Sequence, residues 1–148
     1  MRHLYPALLI GLFSTTAFAQ LQPATGEFRV NQNVPSEQYL PQVAVGPADD
    51  YVVVWKSWLQ DDNTASIYFR RYNSAHIALS AELLVATGAN QNTNEMVKVY
   101  TWTNGRFIIA WNDGNNVNMC VLEANNTLGA IVPLTGNALW DLALNGNT

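Results

Sequence analysis

The sequence predicts an all-β fold: antiparallel, four-stranded repeats of about 50 residues, forming a partial β-propeller-like array of two units and an incomplete third. Three observations carry this expectation. The phrase Tyr51-Val52-Val53-Val54-Trp55-Lys56-Ser57 returns as Phe107-Ile108-Ile109-Ala110-Trp111-Asn112. Short runs rich in Val, Ile, Tyr, Phe and Trp alternate with turn residues, the pattern of strands and reverse turns. No stretch beyond the first 19 residues has the 3.6-residue apolar period of an amphipathic helix.

The first element is a leader. Arg2 and His3 precede the apolar run Ala7-Leu8-Leu9-Ile10-Gly11-Leu12-Phe13, and Ala17-Phe18-Ala19 has the small-x-small form of a signal-peptide cleavage site. Residues 1–19 are therefore expected to be removed on export, leaving 20–148 as the β-repeat domain. The run is too short to span about 30 Å of hydrocarbon. A secreted, periplasmic or extracellular location is expected.

The first unit, residues 26–79, is expected to hold strands at 26–30, 42–45, 51–55 and 67–72. The second, 80–128, mirrors them at 81–85, 98–101, 107–111 and 117–122. The apolar run from Tyr51 to Trp55 does not alternate with polar residues, as expected of a strand covered on both faces, and a polar stop follows each Trp. Trp55 and Trp111 are expected to wedge between adjacent units. The second and third strands of each unit are joined by Gly46-Pro47-Ala48-Asp49-Asp50 in one copy and by Thr103-Asn104-Gly105-Arg106 in the other. Asn104-Gly105 predicts a type I′ hairpin turn, because both residues tolerate positive φ. A partial third unit, 129–148, repeats the pattern through Leu128–Val132 and Trp140–Leu144 and stops where a partner strand is due. Either further repeats in a longer chain or other copies of this one would complete it.

Residues 26–72 resemble the tandem repeats of about 50 residues found in large bacterial surface and secreted proteins. Those repeats read G-x-E-F-x-V-N, then Q-x-x-P-x-V-A, F-V-V-x-W-x-S, Q-D and I-x-x-R-x-Y. The matching residues are Gly26, Glu27, Phe28, Val30 and Asn31; Gln38, Pro41, Val43 and Ala44; Tyr51, Val52, Val53, Trp55 and Ser57; Gln60 and Asp61; and Ile67, Arg71 and Tyr72. The second copy keeps Glu82, Val85, Val99 and Trp111 but lacks the Gln-Asp pair and the Arg-x-Tyr ending. The resemblance implies extracellular, propeller-like β-structure and no established catalytic residues.

Composition narrows the function. The chain has 148 residues, only 12% of them charged, and a net charge of −4. Arg70-Arg71 is its one basic pair, so nucleic acid and anionic membrane surfaces are not expected partners. The single cysteine, Cys120, cannot form an intrachain disulfide and reads as a small buried apolar residue. His76, the one histidine after the leader, sits in a turn sequence with no G-x-S-x-G motif in the chain. No catalytic set and no His/Cys metal spacing is legible.

Binding residues are easier to nominate. Trp58 and Trp102 fall at loop edges, where an indole can either stack on a sugar ring or cover a sheet edge. Asp61 and Asp62, with Asn63, offer oxygens that could hold Ca²⁺ or cap backbone N–H groups in a solvated turn. Asp113-Gly114-Asn115-Asn116 reads as a turn, and Asn125-Asn126-Thr127 is a formal glycosylation acceptor. The expected function is a secreted, non-enzymatic module for adhesion or for binding glycans and surfaces. The alternative is the opening portion of a propeller-type glycoside hydrolase whose catalytic carboxylates lie beyond residue 148.

Overall fold

A computed structural model describes residues 26–60, 64–89 and 97–134. The expected leader, Asp61, Asp62 and the Trp140–Leu144 run lie outside these residues. Two four-stranded antiparallel sheets make up the fold. The first contains β1 (Glu37–Val45), β2 (Tyr51–Trp58), β3 (Ala65–Tyr72) and β4 (Leu83–Ala89), side by side in that order. The second contains β5 (Lys98–Thr101), β6 (Phe107–Asn112), β7 (Val117–Leu122) and β8 (Val132–Leu134) in the same order. The all-β expectation holds.

The duplication extends to register. Val43 faces Val53 as Val99 faces Ile109, and Tyr51 faces Tyr72 as Phe107 faces Leu122. Equivalent turns follow β3 and β7. Asn73 N donates to Ile77 O and His76 N to Asn73 O, while Glu123 N donates to Thr127 O and Asn126 N to Glu123 O. His76 and Asn126 take the matching left-handed φ of 62° and 67°. Arg106 N donates to Thr103 O across Asn104 and Gly105, whose φ values are 58° and 71°, which is the type I′ geometry expected.

Strand assignment departs from expectation at several points. Residues 26–30 form no strand. Their counterparts show why. The expected opening strand of the second unit forms β4 and pairs with β3, and the expected third-unit start supplies β8, which pairs with β7. Each is the outer strand of the preceding sheet. Residues 26–30 have no preceding sheet among the described residues, so their backbone has no ladder to join. Instead they run as a strap across the first sheet. Arg70 Nη1 donates to Val30 O at 2.9 Å, Tyr72 Oη donates to the same carbonyl at 3.2 Å, and Phe28 lies 5.4 Å from the Tyr72 ring. Finally, Trp55 is not followed by a solvent-facing stop. β2 continues to Trp58, with Lys56 and Ser57 fully buried.

The two sheets stack with unlike faces together. Val52, Val54, Ile67 and Phe69 of the first sheet pack against Phe107, Ile109, Trp111, Cys120 and Leu122 of the second. Burying each large aliphatic or aromatic side chain here contributes about 1.5–3 kcal/mol. Within each strand, the side chains that alternate with these point to the opposite face. Trp111 therefore lies between the sheets as expected. Its counterpart Trp55 points away from the second sheet, stacks 6.2 Å from Tyr68 and lines a cavity with Val30 and Asn31 of the strap. Both indoles are buried, at 3% and 2% exposure, but only one is a wedge between units.

Candidate functional site

At one end of the stacked sheets, the loop between β1 and β2 lies beside the turn between β5 and β6. Between them is an open groove of about 630 Å³, lined by Val45, Gly46 and Pro47 on one side and Thr101, Trp102, Thr103 and Asn104 on the other. The first wall is shaped by Gly46 N donating to Asp50 O at 2.6 Å and Asp49 N donating to Gly46 O. Gly46 is required there, because a Cβ would collide with the Asp50 carboxylate and come within 3.1 Å of the Phe107 ring. The second wall is shaped by the type I′ turn, with Trp102 N donating to Arg106 O at 2.8 Å. Thr101 Oγ1 donates to Val45 O at 2.6 Å and ties the walls together.

Arg71 supports both walls from beneath. It lies on the inter-sheet face of β3, 6% exposed, with its guanidinium 5.3 Å from the Phe107 ring centroid. Nε donates to Asp50 Oδ2 at 2.8 Å, and Nη2 bonds to the same oxygen. Nη2 also donates to Gly105 O at 2.8 Å, and Nη1 donates to Ala124 O at 3.0 Å and Glu123 O at 3.3 Å. One side chain thus fastens the first-sheet loop through Asp50 and the second-sheet turn through Gly105. A planar guanidinium is suited to this, because its donors fan out in fixed directions. The second sheet has Val121 where the first has Arg71, and Arg106 where the first has Asp50, so the clasp is not repeated. A charged residue in the middle of an aromatic strand was the signal that sequence reasoning passed over.

The nominated residues part company. Trp102 is half-buried in the groove wall. Trp58 ends β2, is paired with Glu37 and Ala65, and packs against the core. From Tyr51, beside the groove, to Trp58 the strand runs roughly 20 Å, so the two indoles serve opposite ends of the sheet. Asp61 and Asp62 lie outside the described residues. No cluster of three or more His, Cys, Asp or Glu side chains occurs among the described residues. No helix among them is long and apolar enough to cross a membrane.

Several motif residues serve the face under the strap. Gln38 Nε2 donates to Ser57 Oγ at 2.9 Å, Ser57 Oγ donates to Gln60 Oε1 at 2.7 Å, and Gln60 Nε2 donates to Glu82. Glu82 in turn accepts from the backbone N–H groups of Gln32 and Asn33. Gln38, Ser57 and Gln60 therefore anchor the strap. His76 accepts or donates at Nδ1 to Tyr51 Oη, 2.8 Å away, and its ring lies 5.6 Å from Phe28.

The turn at 113–116 is closed by its aspartate. Asp113 Oδ1 accepts from Asn115 N and Asn116 N, both at 2.8 Å, and Oδ2 accepts from Asn118 Nδ2 at 2.7 Å. These donors hold its carboxyl below the usual carboxylate range. Cys120 is buried in the inter-sheet core, where desolvation pushes its thiol up to about 11, so it is not a nucleophile at neutral pH. Comparison with family models, with curated proteins and with solved structures gives no match.

Proposed function

We propose that this chain is an exported, non-enzymatic β-repeat module that binds glycans through the groove at Trp102, as part of a propeller-like array. The placement of the Trp102 indole in the wall of an open groove carries the reading. An aromatic face next to short hydroxyl and amide side chains suits a sugar ring, which presents an apolar C–H face and a rim of hydroxyls. Thr103 and Asn104 supply such polar groups on the same wall. The clasp at Arg71 keeps the walls in place before a ligand arrives, which limits the ordering cost of binding. Stacking of unlike faces supports an array, because such an interface can repeat in one direction. Repetition would compensate for weak individual sites.

A glycan array, followed by titration with millimolar sugar, tests the proposal. Binding should be lost in Trp102→Ala and kept in Trp58→Ala. No binding by the parent chain, or equal binding by both variants, refutes it.

A further inference from the structure

The turn after β7 carries a sequence motif that neither the groove nor the clasp employs. Asn125-Asn126-Thr127 has the Asn-x-Thr form of an N-glycosylation acceptor, and Glu123 extends it to the stricter form acid-x-Asn-x-Thr. The fold presents this motif. Asn125 and Thr127 are exposed. Asn125 Oδ1 accepts from Thr127 Oγ1 at 2.7 Å and from Thr127 N at 3.1 Å, while Asn125 Nδ2 has no hydrogen-bond partner among the described residues. Its neighbour Asn126 is engaged instead, with Nδ2 donating to Leu79 O at 3.1 Å. The turn itself does not need the Asn125–Thr127 pair. The equivalent turn after β3 closes with the same backbone bonds and has Ala75 and Ile77 in their places.

We propose that Asn125 is a site of N-linked glycosylation, accepting an oligosaccharide carried on a polyprenyl diphosphate. The inference rests on the export part of the proposed function, because such acceptors belong to surface loops of secreted proteins, and it is independent of the Trp102 groove. In the transfer, Nδ2 forms a bond to the anomeric carbon of the oligosaccharide as the bond from that carbon to the diphosphate oxygen breaks. The polyprenyl diphosphate leaves with the electron pair, and one Nδ2 proton passes to a base of the transferase. Thr127 is a positioning residue. Its two donors face the carboxamide oxygen, where negative charge builds as that proton departs, and they leave the nitrogen turned outward for attack.

The test incubates the folded, unmodified full chain with a purified oligosaccharyltransferase that takes acid-x-Asn-x-Ser/Thr acceptors and with a polyprenyl-diphosphate-linked oligosaccharide. Intact mass spectrometry should show the gain of one glycan, and peptide mapping should place it on Asn125. Asn125→Gln and Thr127→Val should abolish the gain, and Thr127→Ser should restore it by returning the hydroxyl. A peptide of residues 121–129 reports on the acceptor sequence without the fold. Transfer to the peptide but not to the folded chain overturns the claim that the fold presents Asn125. Transfer to neither overturns the acceptor itself, and undiminished transfer to Thr127→Val overturns the role of Thr127. Sugar binding at Trp102 is measured on the unmodified chain, so either reading can fail alone.

Discussion

Arg71→Met removes the clasp while keeping most of the side-chain volume. In the parent, Arg71 and Asp50 are 6% and 7% exposed, so neither charge is well screened by water. The substitution leaves the Asp50 carboxylate buried without its cation and takes donors from the carbonyls of Gly105, Glu123 and Ala124. Removing one partner of a buried ion pair costs about 3–5 kcal/mol. A large part of that cost is the stranded charge rather than the lost attraction. The double variant Asp50→Ala/Arg71→Met should therefore be less destabilised than the two single costs added together, with a coupling of about 1–3 kcal/mol. Urea unfolding followed by tryptophan fluorescence measures all four corners of the cycle, and each difference is read from the midpoint provided the slope is unchanged. A cost below about 1 kcal/mol for Arg71→Met, or additive single and double variants, would show that the guanidinium is a surface-like contact with no structural weight. Because both groove walls hang on this residue, Arg71→Met should also weaken sugar binding under conditions where the protein remains folded.

Four further outcomes are expected. Trp58→Ala should cost about 3–5 kcal/mol at most, as for a packed aromatic, whereas Trp102→Ala should change the urea midpoint little. Gly46→Ala should destabilise the fold and weaken sugar binding together, since the new methyl must displace Asp50 or Phe107; a neutral result would mean the loop relaxes freely. Cys120 should resist alkylation until the chain unfolds. Its folded-state thiol is raised to about 11 from 9.0, so the unfolded chain loses its proton first and stability should fall as pH rises from about 9 to about 11. A Cys120→Ser control should flatten that part of the profile. Asp113→Ala should lower stability by about 1 kcal/mol, and because the folded carboxyl titrates below its ordinary value, the parent's advantage over the variant should fade as pH drops through the folded value.

Much of the architecture was legible in the sequence, and for local reasons. Strand cores such as Tyr51–Trp55 and Phe107–Trp111 announce themselves by composition, and Asn104-Gly105 dictates its turn through backbone sterics. What escaped depends on distant partners. Nothing within 26–30 differs in kind from 81–85, yet only the latter has an edge to pair with. Trp55 and Trp111 carry the same phrase but meet different covers. The groove was half legible: Trp102 was nominated, but its pairing with Pro47 depends on how the sheets stack. Arg71 was visible as a charged residue in an aromatic strand whose purpose, three carbonyls in turns of the second unit, no spacing could indicate.

The donation of β4 and β8 across the repeat boundary makes the units interlock like overlapped shingles. A protease nick or a gene truncation between residues 79 and 80 would not release one whole module from another. It would strip the fourth strand from one sheet and leave β3 with a bare margin open to foreign strands. Neighbouring repeats joined this way should melt as a single cooperative block, so adding or losing units in such a protein favours cuts placed within loops such as 46–50 over cuts at the repeat boundary.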